Sequence, residues 1–376
     1  MSEPRRALPP GLYIHVPFCL SKCPYCDFYS LTGADGETMD AYVQAVCRTL
    51  AEAAARGFSG ADTLYIGGGT PSLLGGKRLY TLLSAARPLL TDGAEITLEA
   101  NPADDLRDTL TAFAAAGGNR LSMGMQTADK TELTALGRRH TPQDLYRAMA
   151  DAAAAGIGNI SLDMMLGIAG QTAQSVGRSA ETCRQLGAAH VSAYLLKLEP
   201  NTPYYTAPPA LPGEEETAEL YLAACDALER AGYRQYEISN FAREGRQSRH
   251  NRKYWEGAPY LGIGPAAHSF IGGRRFAYPR SLPAFLRGEP PLPEDPDDRL
   301  LPDGSPEEFA LLRLRLTEGL TESAFAAQFD RAIPREWRER AAALPPQLVT
   351  ADGEGIRLTR EGFLLSNTLI GRILLP

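Results

Sequence analysis

Three cysteines fall within the run Pro17-Phe18-Cys19-Leu20-Ser21-Lys22-Cys23-Pro24-Tyr25-Cys26, in the order Cys-x3-Cys-x2-Cys, with no fourth cysteine close behind. A cubane iron–sulfur cluster has four irons and is commonly held by four thiolates. Three thiolates leave one iron open, and an open iron can take a small-molecule ligand and do chemistry on it. The other use of such spacing is a zinc knuckle. Zinc asks for a fourth ligand; the next cysteine is Cys47, within a helical pattern, and His15 would have to reach the loop from what reads as a strand. Cys47, Cys183 and Cys225 stand alone in helical segments and read as buried small apolar residues.

A second set of residues could surround a small ligand. Gly67-Gly68-Gly69-Thr70-Pro71-Ser72 would let the backbone approach a ligand and offer N–H and C=O groups to it. Glycine-rich turns after strands are also common structural punctuation. Glu99, Gln126, Arg138 and Asp163 complete the candidate pocket. Carboxylates suit hydroxyl and ammonium groups, and an arginine suits a carboxylate. Each could equally lie on the surface, and Arg138 in Arg138-Arg139-His140 reads first as a solvated charge.

Alternating elements must position these groups. From residue 12 to about 240, short β-rich runs alternate with longer segments of helical period, the mark of βα units around a parallel sheet. Strands are expected at Leu12–Val16, Thr63–Ile66, Glu95–Glu99, Arg120–Met123, Asn159–Met164 and His190–Leu196. Helices are expected near Asp40–Arg56, Leu79–Leu90, Leu106–Ala116, Thr141–Ala155, Thr172–Leu186 and Glu214–Ala231. Six units fall short of the eight of a closed barrel, so the fold class is α/β, an open partial (β/α)6 barrel of the TIM type. Parallel barrels build their sites on the loops after the strands, and there the sequence puts the cysteines, the glycine run, Glu99, Gln126, Asp163, Tyr194 and Lys197.

Residues 279–306 carry eight prolines and an acidic cluster and read as a linker. Beyond it, helical patterns at Pro306–Arg315 and Thr321–Phe329, a hairpin over Gln347–Thr359 and a last helix at Glu361–Ile373 suggest a small α+β, winged-helix-like domain. The expected divisions are residues 1–240, 241–305 and 306–376.

At 376 residues the chain can bury a sizeable core without disulfides. Six cysteines without regular pairing, no signal peptide after Met1 and no long apolar run point to a cytoplasmic protein. A net charge of −7 argues against nucleic acid as a partner.

With the cysteine spacing, the runs Asn119-Arg120-Leu121-Ser122-Met123-Gly124-Met125-Gln126 and Leu162-Asp163-Met164-Met165-Leu166-Gly167, with Arg138 between them, resemble the radical S-adenosylmethionine (SAM) superfamily. Within it they are similar to the oxygen-independent coproporphyrinogen III oxidases of porphyrin biosynthesis. The resemblance covers essentially the whole chain from Tyr13. It implies a [4Fe–4S] cluster on Cys19, Cys23 and Cys26, with the amino and carboxylate groups of SAM on the open iron. It also implies SAM contacts from Tyr13, Tyr25, Cys26, Asp27, Gly68, Gly69, Thr70, Glu99, Gln126, Arg138 and Asp163. The implied chemistry is reduction of the cluster by an electron donor and cleavage of SAM to methionine and a 5′-deoxyadenosyl radical.

Two departures separate the chain from those oxidases. Phe28 stands where they carry a further cysteine, and the few residues before Cys19 leave the expectation that their substrate-covering N-terminal segment is absent. In addition, Arg249-His250-Asn251-Arg252-Lys253-Tyr254-Trp255 matches His-Asn-x-x-Tyr-Trp, which resembles the related heme chaperones HemW. That resemblance implies heme bound at His250 and handed to respiratory-chain acceptor proteins, with transient visits to the membrane. A histidine nitrogen can ligate heme iron while Tyr254 and Trp255 pack on the porphyrin. Equally, His250 and Asn251 could hold a loop by hydrogen bonds while Trp255 fills core. His268 is a second candidate on the same terms, and covalent heme attachment is not expected without Cys-x-x-Cys-His. The expectation is a heme chaperone without decarboxylase activity; the alternative is a SAM-dependent coproporphyrinogen III dehydrogenase.

Overall fold

A computed structural model describes residues 8–293 and 301–375. In chain order the first elements are β1 (Gly11–Val16), α1 (Gly36–Ala55), β2 (Ala61–Gly68), α2 (Gly75–Ala86), β3 (Leu90–Ala100), α3 (Arg107–Ala115), β4 (Arg120–Gln126), α4 (Lys130–Ala135) and α5 (Pro142–Ala154). They continue with β5 (Asn159–Leu166), α6 (Ala173–Gln185), β6 (His190–Leu195), α7 (Pro203–Thr206) and α8 (Glu214–Arg230). Strands β1 to β6 lie side by side in sequence order and pair in parallel, which is the open partial barrel expected from the sequence. Helix starts follow side-chain caps: Thr141 and Thr172 each accept from the backbone three residues on, in capping boxes with Asp144 and Ser175. The expected end of α2 at Leu90 gives way to a 3-10 turn over Arg87–Leu89, because Pro88 cannot continue the helix ladder.

The six strands alternate between two faces over their central residues. Leu12, Ile14, Leu64, Ile66, Ile96, Leu98, Leu121, Met123, Leu162, Met164, Val191 and Ala193 belong to the apolar core under the helices. Truncating one of these leucines to alanine would cost about 2–5 kcal/mol. The opposite face carries Tyr13, His15, Thr63, Tyr65, Glu95, Thr97, Glu99, Arg120, Ser122, Ser161, Asp163, His190 and Ser192. A period of two therefore puts apolar side chains outward and polar ones inward, so the barrel interior is a place for hydrogen bonds and charge.

The chain then turns back on the sheet. Strands β7 (Arg234–Gln235) and β8 (Asn240–Ala242) add antiparallel to β6, and after α9 (Arg249–Trp255) strand β9 (Tyr260–Ile263) pairs in parallel with β1 on the other edge. Strands β10 (His268–Ile271) and β11 (Arg274–Ala277), helix α10 (Leu282–Leu286) and strand β12 (Leu292–Pro293) follow, completing a sheet of twelve strands in the order β12-β11-β10-β9-β1-β2-β3-β4-β5-β6-β8-β7. Residues 279–293, read as linker, are built into this edge: Phe285 of α10 packs on Tyr42 of α1, and β12 pairs with β11. Prolines are compatible with an edge strand, where no ladder donor is needed. Residues 294–300 of the expected linker lie outside the described residues.

The C-terminal unit holds α11 (Pro306–Arg313), β13 (Leu320–Thr321), α12 (Glu322–Phe329), α13 (Arg335–Ala342), β14 (Val349–Ala351), β15 (Gly355–Leu358), α14 (Arg360–Leu364) and α15 (Ser366–Leu374). Its three strands form an antiparallel sheet, β13-β15-β14, with the expected hairpin between β14 and β15. Helix α13 was not anticipated; its Trp337 packs edge-on against Phe325. The expected last helix is two, because Leu365 leaves the helical backbone.

Candidate functional site

The cysteine loop leaves the C-terminal end of β1 and is pinned at its stem. Leu31 N donates to Pro17 O (2.7 Å), Cys19 N to Leu31 O (2.9 Å), Gly69 N to Val16 O (2.8 Å) and Thr70 N to Phe18 O (2.7 Å). Phe18 is fully buried and meets Tyr42 edge-on. Beyond this anchor Cys19, Cys23 and Cys26 are free thiols, each half-buried, and all three line one cavity of about 520 Å³. Thr70 Oγ1 donates to Cys19 Sγ (3.6 Å) and Arg138 Nη1 to Cys23 Sγ (3.5 Å). His15, the other possible loop ligand, is committed elsewhere: Nδ1 meets the Tyr13 hydroxyl (2.9 Å) and Nε2 the Tyr29 carbonyl (2.8 Å).

The glycine run serves the packing of this loop as much as any ligand. Gly68 has φ +112°, and a Cβ there would come within 2.7 Å of the His15 ring; one on Gly69 would come within 2.6 Å of Phe18 O. No side chain fits at either place, so β2 can close on the loop stem only through glycine.

Glu99, at the end of β3, accepts from Tyr65 Oη at Oε1 (2.8 Å) and from Gly68 N at Oε2 (3.0 Å). Burial pushes its carboxyl up to about 7, outweighing the Tyr65 hydrogen bond, and the nearby Asp163 charge adds to the rise. Asp163 on β5 accepts from Ser122 Oγ (3.3 Å), and burial lifts it to about 6. Gln126 closes β4 with a left-handed backbone, φ 65°. Arg138 is not the solvated charge its neighbours in sequence suggested. It is half-buried, donating to Gly124 O (3.0 Å) as well as to Cys23. Tyr13 and Tyr65 lie side by side across β1 and β2, Tyr25 and Asp27 stand on the loop, and Phe28 is exposed at the cavity's edge.

Arg120 was overlooked by sequence reasoning. It is 1% exposed, lines the cavity, and its Nε has no hydrogen-bond partner among the described residues. An arginine at an inward position of an alternating strand was the available signal, since outward neighbours Leu121 and Met123 fix which face it takes.

These residues suit the groups the cysteine spacing implies. Three thiols face one space, and among the described residues no three His, Cys, Asp or Glu side chains are drawn together as they would be around a single ion. A four-iron cube does not ask for that, because each sulfur binds a different corner. The orphaned Arg120 nitrogen and two carboxylates raised by burial mark a cavity fitted to a polar, charged ligand.

His250 has a different setting from an open iron ligand. It lies on α9, is 1% exposed, and both ring nitrogens are engaged, Nδ1 with Thr63 Oγ1 (2.9 Å) and Nε2 with Tyr254 Oη (2.8 Å). Burial lowers its pKa to about 3, with Lys253 and Arg120 contributing, so the ring is neutral. A second cavity of about 680 Å³ is lined by His250, Tyr254, Trp255, Arg315 and Phe363, and shares Tyr65, Glu99, Asn251, Tyr194 and Lys197 with the first. His268, at the start of β10, is exposed.

Comparison with known proteins agrees with this geometry. The family profile of the radical SAM superfamily matches residues 13–183, and that of the HemN C-terminal domain matches residues 300–365. A protein named heme chaperone HemW from Mycobacterium tuberculosis is 36% identical, over 99% of this chain and 96% of the relative. HemW of Bacillus subtilis is 34% identical over 96% and 98%, and HemW of Escherichia coli 36% identical over 96% and 98%. The crystallised coproporphyrinogen III oxidase HemN of Escherichia coli shares the fold, with a TM-score of 0.80 at 22% identity over 98% of this chain and 91% of that one. By its cysteine loop, its partial barrel and its full-length identity to these relatives, the chain belongs to the heme chaperone HemW family of the radical SAM superfamily.

Proposed function

We propose that this protein is a heme chaperone of the cytoplasm that carries a SAM-ligated [4Fe–4S] cluster and delivers heme to respiratory enzymes. The observation that carries the reading is the full-length identity to proteins named heme chaperone HemW in three unrelated bacteria. Cys19, Cys23 and Cys26 would hold the cluster, and Tyr13, Tyr25, Asp27, Gly68, Gly69, Thr70, Glu99, Gln126, Arg138 and Asp163 would line the SAM site. A reduced cluster supplies a single electron to SAM when both are bound. The chain's own residues then have plain tasks. Glu99 and Asp163 accept hydrogen bonds from a bound cation or hydroxyls, and Arg138 steadies the loop at Cys23.

The same reading includes an electron donor for the cluster, respiratory-chain heme acceptors and transient contact with the membrane. No helix among the described residues is long and apolar enough to cross a membrane. The division into a barrel over 1–240, a motif-and-edge segment over 241–305 and a terminal unit over 306–376 belongs to it too. Exposed Phe28, in place of a further cysteine, supports the chaperone over the dehydrogenase.

The test is to supply anaerobically reconstituted protein with SAM and reductant, and then either heme or coproporphyrinogen III. Uptake of heme and its release to an apo heme-enzyme, without formation of protoporphyrinogen, is the expected result. Turnover of coproporphyrinogen III would overturn the reading in favour of the dehydrogenase.

A further inference from the structure

The histidine of the His-Asn-x-x-Tyr-Trp motif is packed against the inward residues of β1 and β2, at the edge of the second cavity. Its backbone N donates to Glu95 Oε1 (3.1 Å), which ties α9 to β3. Its ring lies against the first residue of β1, where a Cβ on Gly11 would come within 3.3 Å of Cε1 and 3.1 Å of Thr63 Oγ1. Thr63 opens the inward row of β2 and Tyr65 follows it on the same face. The His250 ring stacks on Tyr65, with centroids 5.2 Å apart and planes 29° from parallel, and meets Tyr254 edge-on at 5.2 Å. Tyr65 in turn donates to Glu99 Oε1 (2.8 Å), while Gly68 N holds Oε2. A continuous line of contacts thus runs from Tyr254 through His250 and Tyr65 to Glu99.

We propose that His250 is a positioning residue for the SAM site: its clamped ring is the surface that fixes Tyr65, and Tyr65 fixes the direction of the Glu99 carboxylate. The inference rests on the reading that Glu99 binds SAM. The ring torsion of tyrosine is broad by itself, and since a phenolic O–H prefers the plane of its ring, what packs on the ring's faces sets the plane in which the hydroxyl donates. Here one face is His250, whose own rotation is stopped by a hydrogen bond at each nitrogen. Both Glu99 oxygens are then held from within the protein, and their remaining lone pairs are left for a ligand in the cavity. Binding iron at His250 would require one of these hydrogen bonds to break, leaving a buried hydroxyl of Thr63 or Tyr254 without its partner. The motif thereby joins the two cavities: His250, Tyr254 and Trp255 line the second, Asn251 lines both, and Tyr65 and Glu99 are shared by the two.

The experiment uses the full-length protein with its cluster reconstituted anaerobically, and compares His250→Ala, Tyr65→Phe and the double variant with wild type. SAM affinity is read by equilibrium binding, the SAM-induced change in the EPR signal of the reduced cluster gives a second readout, and a hemin titration is followed at the Soret band. Each single variant is expected to bind SAM about tenfold more weakly, which corresponds to about 1.4 kcal/mol. The double variant is expected to be no weaker than the weaker single, because both act through one carboxylate. Hemin binding and its Soret position stay as in wild type. SAM affinity unchanged in both singles, fully additive losses, or a Soret band lost in His250→Ala with SAM binding intact would overturn the proposal. Should His250→Ala not fold, Tyr254→Phe carries the test. Freeing Nε2 weakens SAM and leaves hemin alone if the ring positions Tyr65, whereas tighter hemin with SAM unchanged returns the ring to the iron. Wild-type protein that holds a cluster but takes no SAM would sink the reading of the site and this inference together; wild type that takes SAM equally with its variants sinks the inference alone.

Discussion

Arg138 Nη1 donates to Cys23 Sγ across 3.5 Å, joining the turn after α4 to the loop after β1. Arg138 is half-buried and is further held by Gly124 O and by His140 Nδ1 at 3.4 Å. A cation donating to a ligating sulfur stabilises the more negative, reduced state of a cluster.

Replacing Arg138 by alanine is therefore expected to lower the reduction potential of the reconstituted cluster by on the order of tens of millivolts. Redox-poised EPR measures it directly, and a potential equal to that of wild type would remove Arg138 from any role at the cluster.

Iron content should follow the loop and nothing else. Wild-type protein reconstituted without oxygen is expected to hold about four irons per chain, and Cys19→Ser to lose them. Cys47→Ser should retain them, since Cys47 sits on α1 away from the cavity lining. Metal analysis that finds zinc in place of iron would overturn the cluster.

Stability of the cluster-free protein should fall as pH rises through the neutral range. The folded pKa of Glu99 is about 7 against an ordinary 4.5, so the folded state holds the extra proton between those values and the unfolded chain does not. Stability from this group is thus greatest below about 4.5 and is lost as pH climbs through about 7. Asp163, raised to about 6, acts in the same direction. Glu99→Gln should flatten the slope and add about 1–2 kcal/mol at pH 8, read from urea melts at pH 6 and 8. An unaltered slope would place the titrating group elsewhere.

Helix α5 depends on its first turn. Thr141→Ala removes the capping box with Asp144 and is expected to cost about 1 kcal/mol in chemical denaturation, leaving iron content intact. A cost near zero would mean that Pro142 and tertiary packing alone set the start of α5.

The six βα units were legible because their code is local. Alternating strands, helices opened by Thr141 and Thr172, and chemistry-bearing residues at strand ends can be read within windows of a few residues. The cysteine spacing belongs to the same class, since three thiols within seven positions of one another must share one loop wherever that loop lies. The edge strands β7 to β12 escaped notice for the opposite reason. They are two to four residues long, and Arg234–Gln235 or Leu292–Pro293 are strands only because β8 and β11 lie beside them.

Residue type and spacing alone determined that this chain could hold a cluster on three sulfurs and would wrap a half-open barrel around it. Tertiary structure decided what the remaining polar residues are for. It turned Arg138 inward to Cys23, left Arg120 Nε without a hydrogen bond in the wall, and set the His250 ring between Thr63 and Tyr254. Cys23 lies 115 positions from Arg138 in sequence, and Thr63 lies 187 from His250. A side chain's hydrogen bonds and desolvation, and so its chemistry, are fixed by neighbours in space, which no local window of sequence contains.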